Sequence, residues 1–96
     1  MTGHDGRPEP RRLENEVAAG PGGAMTDEVG VITGRLTVAT TALSDGRAGV
    51  AVQYTGADEW YTLTGSPVPL RRGGLAALHA DVLHRVRQGG GAEAPR

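Results

Sequence analysis

The chain has 96 residues, of which 38% are hydrophobic and 3% aromatic, and its formal net charge is −1 at pH 7. This length allows one domain with a small core, and the near-neutral charge lacks the basic excess of a dedicated nucleic-acid or anionic-membrane binder. The absence of cysteine excludes disulfides, thiol nucleophiles and thiolate zinc sites.

The composition also bears on the source and compartment of the chain. All ten basic residues are arginine and phenylalanine is absent, a bias typical of a GC-rich bacterial genome. No apolar run reaches the roughly 18 to 20 residues of a membrane span, and the N-terminus lacks the pattern of a secretory signal. We therefore expect a cytoplasmic bacterial protein without a membrane partner.

The N-terminal residues 1–25 are predicted to be a disordered extension. They contain three of the six prolines and a Gly-rich end, and they have few residues that could build a core. An alternative interpretation is that translation starts at Met25, because the preceding glycine pair could be encoded by a ribosome-binding sequence.

The central part of the chain predicts three antiparallel strands with short connections. Residues 29–41 alternate apolar and polar side chains, with Gly34 expected at a bend or bulge, and residues 49–55 and 59–64 follow after turns at 44–49 and 56–58. Strands that follow one another across short turns form a meander.

An amphipathic helix is predicted over residues 74–88. Its apolar stripe, which should cover one face of the meander, consists of Leu75, Leu78, Val82, Leu83 and Val86. The expected fold is thus α+β, a three-stranded antiparallel β-meander with one C-terminal helix on one face. The domain is expected to span residues 26–89, followed by a disordered tail at 90–96.

The two faces of the third strand predict a contact surface. If Trp60 packs in the core, Tyr61 and Leu63 lie on the outer face, which is then too apolar to be fully solvated. A long first strand at the sheet edge would add a second site for contact, because an unpaired edge can receive another strand. Both features favour a protein partner or a homodimer.

A second candidate site is the segment Arg71-Arg72-Gly73-Gly74. It directly precedes the helix, where free backbone amides favour anions, so it could hold a phosphate or a partner's carboxylate. The simpler interpretation is a polar loop whose glycines let the chain turn. The segment lacks the Gly-Lys-Ser/Thr signature of a phosphate-binding loop.

The remaining polar clusters do not indicate catalysis or metal binding. His79 and His84 are five residues apart on a helix, whereas a metal-binding pair needs a spacing of three or four. Asp58 and Glu59 are adjacent on a strand and point to opposite sides. We therefore predict no catalytic, cofactor or metal site.

These observations predict a small non-enzymatic interaction or regulatory protein that acts through protein–protein contacts as a homodimer or adaptor. The alternative is a nucleic-acid-binding or transcription-regulatory protein. Its contact residues would be Arg35, Arg47, Arg71, Arg72 and Tyr61. The charge balance argues against this alternative, because acidic residues are interleaved with the arginines.

Overall fold

The computed structural model describes residues 10–95. It contains seven strands and one helix: β1 (Arg12–Ala18), β2 (Ala24–Thr26), β3 (Gly30–Ile32), β4 (Arg35–Ala42), β5 (Arg47–Tyr54), β6 (Tyr61–Thr62), β7 (Val68–Pro69) and α1 (Gly74–Gln88). The main antiparallel sheet has the order β1-β4-β5-β6. Strand β7 pairs with the N-terminal end of β5. Strands β2 and β3 form a separate two-stranded ribbon.

The predicted α+β architecture, with an antiparallel sheet and one C-terminal helix, is confirmed. The hairpin of β4 and β5 is its centre, with Val38 opposite Val52 and Thr40 opposite Val50. These β-branched residues suit a pleated, buried surface. The helix covers β1 and β4, and its stripe buries Val82 and Val86 completely.

The sheet has more strands than the predicted meander. The long first strand is two strands, β3 and β4, because the chain bends at Gly34, where φ is +90°. The third predicted strand shortens to β6, and the proline-containing segment after it returns as β7. The bend separates the ribbon of β2 and β3 from the main sheet.

The ribbon is attached to the rest of the fold by the turn between β2 and β3, which contains Glu28, and by its opposite end. The backbone N–H and the hydroxyl of Thr62 both donate to the carboxylate of Glu28, each at 2.7 Å. These two hydrogen bonds lower the pKa of Glu28, the hydroxyl contributing more than the backbone. A bridge between Ala24 and Ala92 joins the other end of the ribbon to the C-terminus.

The predicted disorder of residues 1–25 is wrong for the described part of this segment. Residues 12–18 form β1, which pairs with β4 over its whole length, and Val17 is only 4% exposed in the core. The segment has little apolar surface of its own, but β4 forms hydrogen bonds with the backbone of its odd-numbered residues and the helix covers its inner face. Residues 1–9, the rest of this prediction, lie outside the described residues.

The predicted disorder of residues 90–96 is also wrong up to residue 95, because two glycine-rich segments, residues 20–23 and 89–91, pack backbone to backbone. Residue 96 lies outside the described residues. The N–H groups of residues 90, 91 and 92 donate in turn to the carbonyls of residues 21, 22 and 23, at 2.6, 2.9 and 2.9 Å. A Cβ on Gly20 would lie 2.3 Å from the Arg87 carbonyl oxygen, and one on Gly89 would lie 2.2 Å from that of Pro21. Glycine is therefore required here for close approach.

Candidate interaction site

The predicted anion site lies at the start of α1 as expected from the sequence. Arg71 and Arg72 are exposed, and Gly73 and Gly74 take left-handed backbone angles, with φ of +93° and +65°. Three of the four residues line a cavity of about 180 Å³, which is bounded by Pro69, Arg71, Arg72, Gly74, Ala77, Leu78, Asp81 and Pro95. The helix has no side-chain cap and no acidic residue in its first turn.

The glycine geometry agrees with the simpler interpretation of this loop. Both glycines take angles that other residues rarely adopt, so the turn from β7 into α1 by itself requires them. Within the described residues, neither Arg71 nor Arg72 forms an ion pair. Anion binding at this loop stays a prediction.

The predicted outward face of Tyr61 and Leu63 is wrong. Leu63 is 0% exposed, and Tyr61 lies opposite Val52 and packs against the core. Partial burial raises the pKa of Tyr61, and the Glu59 carboxylate adds to this increase. The register of β6 against β5 thus places the phenol on the helix side of the sheet and removes the predicted contact surface.

Trp60 takes the opposite position and lies on the outer face of the sheet. Its side chain is 37% exposed, and the Arg12 guanidinium lies 5.2 Å from the centre of its ring, a cation–π contact. Because Arg12 is on β1 and Trp60 precedes β6, the pair reaches across the two central strands. The small side chains Ala39 and Ala51 on those strands leave room for this arrangement.

Strand β1 supplies the long edge of the main sheet. Ala42 donates its N–H to the carbonyl of Arg11 at 2.8 Å, and Ala19 donates to the carbonyl of Gly34 at 2.9 Å. In an antiparallel pair, hydrogen-bonded and non-hydrogen-bonded positions alternate, so the odd-numbered residues of β1 bond to β4. The backbone groups that point away from the sheet belong to Arg12, Glu14, Glu16 and Ala18.

These outward backbone groups have no partner among residues 10–95. The sheet ends at β1, and no other hydrogen bond within the described chain reaches these N–H and carbonyl groups. Sequence reasoning missed this edge because it assigned the segment to disorder. A signal was present: charged residues at 12, 14 and 16 alternate with Leu13 and Val17, which is the period of a half-buried strand.

The edge strand carries charges of both signs on its outer face. Arg12 forms an ion pair with Glu14 at 2.8 Å, and Glu16 lies 3.6 Å from the guanidinium of Arg35 on β4. All four side chains are about half exposed or more, so each pair contributes little to folding stability. They remain accessible to a partner strand.

His79 anchors β1 from the helix side. Its Nε2 lies 2.8 Å from the Asn15 side-chain oxygen, which can only accept, so Nε2 carries the proton and donates. Its Nδ1 lies 2.7 Å from the Thr40 hydroxyl, which then donates to the ring. Burial lowers the pKa of His79, and the neutral ring links α1 to both β1 and β4.

The other polar residues considered in the sequence form no shared site. Asp58 and Glu59 are exposed, and so is His84. Among residues 10–95, no group of three or more His, Cys, Asp or Glu side chains could hold a metal ion. No helix in that part of the chain has the length and apolarity needed to cross a membrane.

Comparison with known proteins adds no family to this description. No family model, curated protein or solved structure matches the chain.

Proposed function

We propose that this chain is a small non-enzymatic interaction protein that acts through protein–protein contacts, as a homodimer or as an adaptor, by adding a partner's strand to the edge of β1. One observation carries this proposal. Four consecutive outward positions of a seven-residue edge strand present backbone donors and acceptors that have no partner within residues 10–95. An edge of this kind can bind an extended segment by main-chain hydrogen bonds.

The shape of the domain supports the use of this edge and not the opposite one. The far side of the sheet ends in β6 and β7, which have two residues each and offer little backbone for pairing. Short edge strands are one way in which proteins prevent further strand addition. A partner would therefore find one usable edge, which favours a defined complex over open-ended assembly.

The nucleic-acid alternative has less support from the positions of its residues. Arg47 is paired with Asp45 at 2.7 Å, Arg35 faces Glu16, and Tyr61 is turned towards the core and not towards solvent. A stacking surface needs exposed aromatic rings next to free positive charge. Gel-shift experiments at low salt would test this alternative, and binding to oligonucleotides there would reopen it.

The experiment that tests the proposed function blocks the edge without disturbing the fold. In Glu14→Pro, the outward N–H is lost and the proline ring projects from the edge, but no bond to β4 is removed. The matched control is Glu14→Gln, which retains the N–H. Partners captured by the tagged wild-type protein from its host should be lost with Glu14→Pro and retained with Glu14→Gln.

Self-association should show the same pattern in sedimentation velocity. Circular dichroism must show that Glu14→Pro keeps the wild-type fold; otherwise Glu16→Pro, which blocks a neighbouring outward position, replaces it. If the folded proline variant retains every partner and the self-association of the wild type, the edge is not the interaction site.

A further inference from the structure

The position of α1 restricts what can pair with the edge of β1. Through Asn15 and Thr40, His79 bonds to both β1 and β4, so the helix axis lies above the space between these strands. Neighbouring strands are about 4.8 Å apart. A two-fold axis that is perpendicular to the sheet and lies just outside β1 would therefore pass about 5 Å from the helix axis. Two copies related by that axis would have their helices about 10 Å apart, which is the spacing of packed helices.

The flank of α1 above the β1 edge is suited to such a contact. Ala77 and Asp81 line the cavity on the opposite, β7 side, whereas Ala76 lines a hollow with Leu13 of β1. At 100° per residue, the side chains that share the flank with Ala76 are Ala80, Leu83 and Arg87. Ala76 and Ala80 are exposed and Leu83 is half-buried, so apolar side chains line the edge side of the helix up to Arg87 in its last turn.

The charges on β1 select one register for a second copy. Antiparallel pairing of the outward positions with Leu13 on the two-fold axis places Arg12 opposite Glu14 of the second copy, and this pair occurs twice. Shifting the register by one step towards the C-terminal end places Glu14 opposite Glu14, and a second step places Glu14 opposite Glu16 twice. Opposite charges facing each other across strands stabilise pairing, and like charges weaken it.

We propose that the edge of β1 binds a second copy of this chain, forming a two-fold dimer in which β1 pairs antiparallel about Leu13 and the two α1 helices pack through Ala76, Ala80 and Leu83. This inference rests on the proposed function and names its partner. The strand and helix contacts are consistent with each other, because Ala76 lines the same hollow as Leu13 and thus lies next to the strand position of the axis. The dimer is closed, since each copy has one long edge and pairing consumes it.

The first test exchanges the charges of the proposed strand pair. Arg12→Glu places two like-charge pairs in its own dimer, and so does Glu14→Arg, so each variant alone should dimerise at least about tenfold more weakly than the wild type. Mixing the two variants creates two opposite-charge pairs in the mixed dimer. Sedimentation velocity at high micromolar concentration should therefore show dimers in the mixture that neither variant forms alone.

The second test uses the absence of cysteine, which lets each variant carry a single thiol. Leu13→Cys places two cysteines opposite each other at a non-hydrogen-bonded pair, about 4.5 Å apart between Cα atoms, within the range of a disulfide. Glu16→Cys is the matched control, because its two copies would be six strand residues apart, about 20 Å. Ala76→Cys should likewise cross-link faster than Ala77→Cys on the far flank of α1.

The outcomes separate this inference from the proposed function. Restored dimers in the mixture and cross-linking at positions 13 and 76 but not at 16 and 77 would support the two-fold arrangement. A wild-type dimer that tolerates both charge exchanges would overturn it, because such a dimer uses another surface. A monomer at high micromolar concentration would also overturn it. In that case, the loss of captured partners in Glu14→Pro would still decide the adaptor form of the proposed function.

Discussion

The packing of the two glycine-rich segments leads to a sharp prediction for Gly20→Ala. The added Cβ would lie 2.3 Å from the Arg87 carbonyl oxygen and 2.7 Å from the carbonyl carbon and oxygen of Gln88. All of these atoms belong to the backbone, so no side-chain rotation can relieve the clash. The segment must move by about 1 Å, which also weakens the hydrogen bond from the Gly20 N–H to the Val86 carbonyl.

The magnitude follows from these two effects. Overfilling a packed site costs about 1 to 3 kcal/mol, and a weakened backbone hydrogen bond adds about 1 kcal/mol. The lower backbone entropy of unfolded alanine offsets up to about 1 kcal/mol of this cost. We therefore expect the free energy of unfolding to fall by about 2 to 3 kcal/mol, equivalent to a decrease in Tm of roughly 10 to 20 °C.

Gly49→Ala is the matched control, because no atom lies within 4 Å of a Cβ built on Gly49 and its backbone is an ordinary strand. It should leave the stability unchanged or raise it by up to about 1 kcal/mol. Urea unfolding followed by the fluorescence of Trp60, the only tryptophan, and by circular dichroism measures both variants. A loss below about 0.5 kcal/mol in Gly20→Ala, or equal losses in both, would refute the close-packed arrangement.

Three further predictions concern β1 and its anchor. Thr40→Val conserves shape but leaves Nδ1 of His79 without its hydrogen-bond donor, so the free energy of unfolding should fall by about 1 to 3 kcal/mol. The control is Thr41→Val at the half-buried neighbouring position, which should have a smaller effect. Because burial lowers the pKa of His79 below its ordinary 6.5, the unfolded chain binds the proton more tightly. The stability that His79 contributes is therefore complete above pH 6.5 and is lost as pH falls through its folded pKa. Unfolding curves in that range should depend less on pH in His79→Gln, and an identical pH dependence would contradict the assignment. A chain starting at Met25 would lack β1 and should lose cooperative thermal unfolding. Removal of residues 1–9 keeps all the contacts described here and should retain cooperative unfolding. A cooperative transition at the wild-type Tm in the chain starting at Met25 would contradict the role of β1.

The helix and the central hairpin were predictable because their signals are local. The apolar spacing of α1 and the glycines that flank it define its ends, and the observed helix coincides with the predicted residues 74–88. The turn between β4 and β5 closes through Asp45, whose side chain accepts from the backbone N–H of Arg47 at 3.1 Å. These features depend on residues that are close to each other in the sequence.

The candidate site was less predictable, since its position depends on contacts between distant residues. Trp60 and Tyr61 are neighbours of similar size, and only the register of β6 against β5 decides which of them faces the helix. A shift by one residue exchanges the two faces of a strand. The Arg71–Gly74 segment was placed correctly because its location depends only on the start of α1.

The amino-acid sequence by itself determined the hairpin, the helix and the side of the helix that is buried, since these follow from the periodicity of side chains along a short segment. The tertiary structure decided that residues 12–18 are a strand and that both glycine-rich segments are ordered. The reason is physical: β1 owes its stability to hydrogen bonds with β4 and to the helix above it, and the glycines are needed only where two distant stretches of backbone meet.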